Sequence, residues 1–550
     1  MAAPHFASID YIVFGLTVCA SLTIGLGLSR AGRNRTESTS EFLMAGRSMK
    51  SVPIALSLLA SFLSAVTILG FPSEVYFYGV QYAIGVLAYF IAAPIVVSVF
   101  VPVFYGLKLT SAYEYLEKRF SSQVRSLASV VFLLQTLLYS AIAVYAPALA
   151  LDAVTGFSVW TSIICGGLVA TVYTALGGMK AVIWTDVFQA IIMLVGILSV
   201  IVLGVGRLEG FGSVFDISSK GQRLNLLNFS LDPTERLTFW SLICGHLFNY
   251  LSLWGTSQTS VQRILTANSL DAAKKSVWMM IPLTLFTITL CSLCGLVVYA
   301  VYSNERCDPI SAHLVCKDDQ ILPFFVIDVL RGIPGLAGLF VSCIVSATLS
   351  TISSNLNSMA TITLEDFIKP RLVNLSDAKA TIMSKWLSLC YGILVIAMSF
   401  GFSYMQNQRL ISAAASVFGA TGGPLLGVFT LGMFVPKSNH KGALVGLLSG
   451  LLLMICICIG AEWYPNPHWS RLPVPSTEGC QAVQDISCSL SNGIEKAVTG
   501  SESSFIFGIS FMWYSFLGFV ITFVIGYLAS IFSAGQSNPV DQRLLVWQRS

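Results

Sequence analysis

Ser346-Ala-Thr-Leu-Ser350-Thr351-Ile-Ser353-Ser354-Asn355-Leu-Asn357-Ser358 packs seven hydroxyl residues and two amides into thirteen positions of an otherwise apolar stretch. Hydroxyls in apolar helices commonly back-bond to the carbonyl three or four residues earlier. This density exceeds what packing asks for. On a helix Ser350 and Thr351 project about 100° apart, so their oxygens flank one point beside the carbonyl of Ala347. A second stretch, Ala60-Ser-Phe-Leu-Ser-Ala-Val-Thr67-Ile-Leu-Gly70-Phe-Pro72-Ser-Glu74, gathers small, hydroxyl and breaker residues. That composition suits a helix that unwinds and frees main-chain carbonyls. Paired alcohols facing freed carbonyls make an all-oxygen cage, which suits Na⁺ better than a transition metal seeking nitrogen or sulfur. Asp186, in Lys180-Ala-Val-Ile-Trp-Thr-Asp186-Val-Phe-Gln189, is a carboxylate at the edge of another apolar run. It reads either as a functional acid or as a helix-start acid favoured by the N-terminal dipole. Glu74 reads as a structural partner or anchor.

The elements that would hold these residues are membrane spans. The chain is 55% apolar and 11% charged, with a mean hydropathy of +0.77 over 550 residues. Soluble domains carry about a quarter charged residues, so this chain lacks the polar surface to face water. Its 13 cysteines are too sparse for a disulfide scaffold, and a net charge of +4 does not suggest a nucleic-acid partner.

A helix needs about 20 mostly apolar residues to cross the hydrocarbon layer. About thirteen stretches qualify, near 9–28, 52–79, 82–105, 125–151, 158–177, 182–204, 237–258, 275–303, 322–360, 383–402, 409–435, 441–462 and 506–533. They are continuous rather than alternating, so the fold class is an all-α polytopic membrane protein and not a barrel. The ninth is long enough to break near Gly332-Ile-Pro334-Gly335 into a short outer helix and the span proper. Basic residues follow the first span (Arg30, Arg33, Arg35, Arg47, Lys50) and none precedes it, which places the N-terminus outside and the C-terminus inside. In that layout Cys307, Cys316, Cys480 and Cys488 fall in outer loops and are disulfide candidates. Asn228 is the usable glycosylation candidate, whereas Asn34 and Asn374 face the cytosol.

The second and seventh spans are interrupted alike, the seventh through Gly245-His246, Asn249-Tyr250, Trp254-Gly255 and Gln258. Each opens a group of five spans, and an odd number makes the groups run oppositely. The expected organisation is one transporter domain, 1–550, with inverted repeats at 52–204 and 237–435 and peripheral helices at 9–28, 441–462 and 506–533. Broken helices at matching positions of inverted repeats point to a transporter's central site.

Several strings carry a further signal: Phe42-Leu-Met-Ala-Gly-Arg47, Pro72-Ser-Glu74, Leu109-Thr-Ser-Ala-Tyr-Glu-Tyr-Leu-Glu117, Tyr145-Ala-Pro-Ala-Leu-Ala-Leu151, Leu176-Gly-Gly-Met-Lys180, Val261-Gln-Arg263, Leu349-Ser-Thr351 and Gly422-Gly-Pro-Leu-Leu-Gly427. With these the chain resembles the sodium/solute symporter family, and within it the branch of sodium-coupled monocarboxylate, multivitamin and iodide transporters. The resemblance implies a core like that of the bacterial leucine transporter, working by alternating access. It implies a sodium site at Ala60, Leu63, Ala347, Ser350 and Thr351, supported by Asp186. It also implies a substrate pocket at Leu63, Thr67, Tyr89, Tyr139, Tyr250 and Trp254. The family pattern has Gly-Gly where this chain has Gly245-His246, so His246 joins the pocket candidates, either bonding a carboxylate or answering pH, or held neutral by a neighbouring helix. The polar set of the sugar transporters is missing.

The expected function is sodium-coupled import of a small organic monocarboxylate into the cell across the plasma membrane. No buried arginine is apparent, so helix dipoles and hydroxyls are expected to hold the anion. Alternatives are iodide or a vitamin carboxylate (biotin, pantothenate) and, more remotely, an ion channel. No HExxH, Gly-x-Ser-x-Gly or P-loop pattern occurs, so an enzyme is not expected. Na⁺ as the coupling ion, the substrate and lipid are the expected partners, with no other cofactor.

Overall fold

The computed structural model describes residues 7–32, 39–155, 157–330, 333–372, 375–403, 409–464, 466, 469, 471–480, 505–533 and 540–546. Cys488, Asn34 and Asn374 lie outside them. The described residues are helical throughout, joined by turns and one isolated bridge between Met49 and Ala267. We number the principal helices α1 (Ser8–Gly32), α2 (Ser51–Phe62), α3 (Ala65–Tyr78), α4 (Val80–Gly106), α5 (Ser122–Thr155), α6 (Val159–Gly206), α7 (Phe239–Leu251), α8 (Gln258–Ile264), α9 (Leu270–Asn304), α10 (Ile321–Leu330), α11 (Leu336–Ile362), α12 (Asp377–Ser403), α13 (Leu410–Phe434), α14 (His440–Trp463) and α15 (Tyr514–Phe532).

Among the described residues, ten helices are long and apolar enough to cross a membrane, or eleven if the bent pair α2–α3 is one span. That is fewer than the thirteen expected, for two local reasons. The fifth and sixth stretches run together as α6, whose 48 residues turn at Gly178 (φ 66°). The limb before that turn, Val159–Ala175, is apolar but too short to qualify alone, rising about 25 Å against a hydrocarbon layer of about 30 Å. The seventh stretch is divided by a wide turn at Ser252–Thr256 and an extended Ser257 into α7 and α8. The expected break in the ninth stretch is present: α10 ends at Leu330, and α11 starts after Gly335, a left-handed residue at φ 96°.

Burial divides the helices into core and rim. Along α11 nearly every side chain from Phe340 to Ile362 is buried, with α6, α5, α1, α12 and α2 packed around it. In contrast, α1, α12 and α15 turn large apolar residues outward, among them Leu16, Trp386 and Phe532. Outward apolar side chains suit a helix that meets lipid.

The loops that follow α9 and α14 are tied across the molecule. Cys307 is disulfide-bonded to Cys480 across 173 residues, and Cys316 is also in a disulfide. Leu472 N donates to Phe77 O, and Arg471 and Arg409 both pair with Asp318. Glu74 pairs with Arg236, the structural role its position suggested. Asn228 stands in a loop with its Nδ2 donating to Glu235 Oε2 at 2.6 Å.

Candidate functional site

The break between α2 and α3 is local in origin. Leu63 turns to φ −77°, ψ 63°, Ser64 is extended, and Ser64 Oγ caps α3 by accepting from Thr67 N. The two helices diverge by 57°. In a continuous helix Ser64 N would close on Ala60 O and Thr67 N on Leu63 O. Here Ser64 N donates to Phe62 O at 2.9 Å and Thr67 N to Ser64 O at 3.0 Å. Ala60 and Leu63 thereby lose their helical donors, and their carbonyls are released at the bend.

Against that bend lies the hydroxyl run of α11. Ser350 Oγ is 2.9 Å from Ala60 O and 3.0 Å from Ala347 O, and Thr351 Oγ1 is 2.9 Å from Ala347 O. Ala60, Leu63, Ala347, Ser350 and Thr351 are all buried. Two alcohols and the carbonyls of Ala60 and Ala347 thus meet in a buried, all-oxygen cluster between two helices, a donor set that fits a hard monovalent cation.

Asp186 sits one layer behind, on the second limb of α6. It is fully buried, Ser57 Oγ donates to its Oδ2 at 2.5 Å, and Arg263 Nη2 approaches the same oxygen at 3.4 Å. Arg263 also donates to Ser61 Oγ and Ser354 Oγ. This removes one of the two readings of Asp186 and overturns one expectation. Asp186 is not an interface acid at a helix start, and a buried arginine is present: Arg263, 1% exposed, reaches the central cavity from α8. A buried pair of this kind holds only because each charge is neutralised and further hydrogen-bonded. Asp186 Oδ1 and both polar atoms of the Gln189 amide, one turn on, have no partner among the described residues.

A cavity of about 150 Å³ opens beside the bend. Of the expected pocket residues, Thr67, Tyr139, His246, Tyr250 and Trp254 line it. Leu63 and Tyr89 do not. Leu63 is buried in the bend, and Tyr89 lies behind Tyr250 and Trp254 with ring centroids 3.7 and 4.5 Å away. Sequence reading missed Gln135, Asn249, Asn355 and Arg263 on the wall. Tyr139 OH donates to Ser64 Oγ at 2.9 Å, so the cavity wall is wired to the bend. His246 Nδ1 is 2.9 Å from Leu242 O, four residues earlier on its own helix. Nδ1 is thus held within its own helix and not by a neighbouring one. The N-terminus of α3, with its partial positive charge, borders the same space through Val66 and Thr67.

The arrangement sets a buried oxygen cluster beside a small aromatic and hydroxyl-lined cavity, with a flexed helix between them. A model of the sodium:solute symporter family matches residues 42–450. The chain belongs to the sodium:solute symporter family. It is 42% identical to human sodium-coupled monocarboxylate transporter 1, covering 98% of this chain and 89% of that protein. It is 39% identical to the mouse sodium-coupled monocarboxylate transporter 2 (99% and 87% covered) and 42% identical to the rabbit sodium-dependent multivitamin transporter (98% and 85%). Among solved structures, a substrate-bound, outward-open Na⁺-coupled sialic acid symporter shares the fold with a TM-score of 0.77 at 24% identity, over 96% of this chain and 99% of that one. A nucleobase-cation symporter does so at 0.52 and 15%, over 89% and 94%. This symporter is a multi-pass membrane protein and not an enzyme.

Proposed function

We propose that the protein imports a small organic monocarboxylate together with Na⁺ by alternating access. The observation that carries this reading is the contact of Ser350 with the released Ala60 carbonyl, in a chain that shares about two fifths of its residues with sodium-coupled monocarboxylate transporters. Na⁺ from outside enters the cluster of Ala60, Leu63, Ala347, Ser350 and Thr351, ties α2 to α11, and steadies the bend. Thr67, Tyr139, Tyr250 and Trp254 then close around the anion's apolar body, with its carboxylate at the α3 N-terminus. Leu63 acts through its carbonyl, and Tyr89 supports the Tyr250 ring from behind. Asp186 and Arg263 brace the inner end of the site. Each inward Na⁺ supplies about 2.3 kcal/mol per 100 mV of membrane potential, before its concentration gradient.

The finer architecture belongs to the same reading. Thirteen passes result when α6 is divided at Gly178 and α7–α8 counts as one crossing, and the inverted repeats are then 52–204 and 237–435. The N-terminus lies outside and the C-terminus inside. The Cys307–Cys480 disulfide supports an oxidising outer face, where Asn228 would carry a glycan, and the plasma membrane is the site of action.

A second reading, a vitamin carboxylate such as biotin or pantothenate, is favoured by the 42% identity to the rabbit multivitamin transporter. Iodide is the third. Tracer uptake of short monocarboxylates in Na⁺ and in choline medium, with iodide, biotin and pantothenate as competitors, separates them. Uptake unchanged in choline excludes sodium coupling. Current that never saturates, with no accumulation against a gradient, marks a channel.

A further inference from the structure

His246 contributes an imidazole to a cavity whose other walls are phenols, amides, hydroxyls, apolar groups and the Arg263 guanidinium. The ring is seated in a niche: a Cβ added at Gly85 would come within 2.5 Å of Cε1 and 2.7 Å of Cγ, and closer still to Nδ1. The Nδ1 edge therefore backs onto the Gly85 backbone, and the Nε2–Cδ2 edge is what remains for the cavity. Tyr82 and Tyr250 hold the plane, with centroids 5.1 and 5.4 Å from the imidazole. The Leu242 carbonyl can only accept, so Nδ1 of the neutral ring carries the proton and donates it there. Nε2 is left as a lone pair with no hydrogen-bond partner among the described residues.

A lone pair repels a carboxylate and accepts from a hydroxyl or an N–H. His246 stands one helical turn from Tyr250, about 6 Å along α7; Tyr250 packs on Phe62 at the bend, whereas His246 packs on Tyr82, which meets Phe71 two turns into α3, so the imidazole lies away from the α3 N-terminus that takes the carboxylate. We propose that His246 is a specificity-determining residue, its Nε2 accepting a hydrogen bond from a donor on the far end of the substrate, so that the transporter prefers monocarboxylates bearing a distal hydroxyl or amide N–H. This rests on the monocarboxylate reading given above. A substrate without the donor leaves Nε2 desolvated and unpaired, the basis on which polar sites reject apolar analogues.

The test compares sodium-driven uptake of butanoate, 3-hydroxybutanoate and 4-hydroxybutanoate in cells expressing the full chain, read as the ratio of kcat/KM for a hydroxy acid to that for butanoate. The expected ratio for the better hydroxy acid is about tenfold, the worth of one hydrogen bond in a partly hydrated site. His246→Phe keeps a ring and removes the acceptor, so the ratio falls to about one. His246→Gln turns an amide oxygen to the same place and retains part of the preference. Gly85→Ala pushes the imidazole from its niche and lowers the ratio without altering His246. A purely structural histidine would change uptake of all three acids together and leave the ratio intact, because the ratio does not depend on how much protein folds. Equal uptake of the acids by the wild type, or a ratio unmoved in His246→Phe, overturns the role of His246 and leaves monocarboxylate import standing. Absence of sodium-dependent uptake of any of the three overturns both.

Discussion

Ser350 Oγ stands within hydrogen-bond reach of Ala60 and Ala347, so truncating it removes one oxygen from a cluster that the main chain otherwise supplies. Ser350→Ala should raise the Na⁺ concentration for half-maximal uptake about tenfold, equivalent to about 1.4 kcal/mol. Combined with Thr351→Ala, it should abolish sodium-driven uptake, as read in a Na⁺ titration of tracer entry. Asp186→Asn leaves Arg263 charged and uncompensated in the protein interior, at a cost of about 3–5 kcal/mol. Its melting temperature in detergent should drop sharply, and Asp186→Asn with Arg263→Met should recover part of the loss. Serine and threonine crowded in an apolar helix announce themselves, which is why the Ser350–Thr351 pair was legible from sequence. Arg263 was not. It lies beside a polar connection at a span's end, where a basic residue reads as a cytosolic anchor, and its carboxylate partner is 77 positions away.

At the scale of the helix, breaks were easier to foresee than crossings were to count. Small and hydroxyl residues between Ala60 and Glu74 marked the bend, because hydroxyls can satisfy the main-chain groups that an unwound turn frees. The run through Val159–Gly206 was divided between 177 and 182, and the chain turns in that gap at a single left-handed residue, Gly178. Close helix contact follows the same logic of size. Along α14, Gly442, Gly446 and Gly450 face α15, where a Cβ at Gly446 would come 2.5 Å from Thr522 O and 2.8 Å from Gly526 Cα. Small residues at this spacing let membrane helices approach at backbone distance. Gly446→Leu should prise the two apart and destabilise the protein by about 1–3 kcal/mol, measured as earlier thermal aggregation of the purified protein, with little change in substrate selectivity.

Across the whole molecule, the end that carries the disulfide-linked loops is held by charge as well as by covalent bonds. Asp319 is buried beneath the start of α13 and accepts from Leu410 N at 3.1 Å, with Asp318, Arg409, Glu74 and Lys317 around it. Burial pushes its carboxyl up to about 7. A carboxyl with a folded pKa above its unfolded value binds its proton more tightly when folded. The folded state therefore gains stability as pH falls below about 7, by about 1.4 kcal/mol per unit, until the ordinary carboxylate range is reached. Melting temperatures should rise from pH 8 to pH 6, and Asp319→Asn should flatten that rise; equal slopes in the two proteins would refute the assignment.

The covalent tie has a bearing on biogenesis. Cys307 leaves the ribosome long before Cys480, and α10 to α14 lie between them in the chain. The bond cannot close until those five helices have been threaded and the late loop has returned over Phe77. Its oxidation is thus a stamp placed on finished topology: a chain with one segment inserted the wrong way round would strand the two thiols on opposite sides of the bilayer and stay marked by a free sulfhydryl.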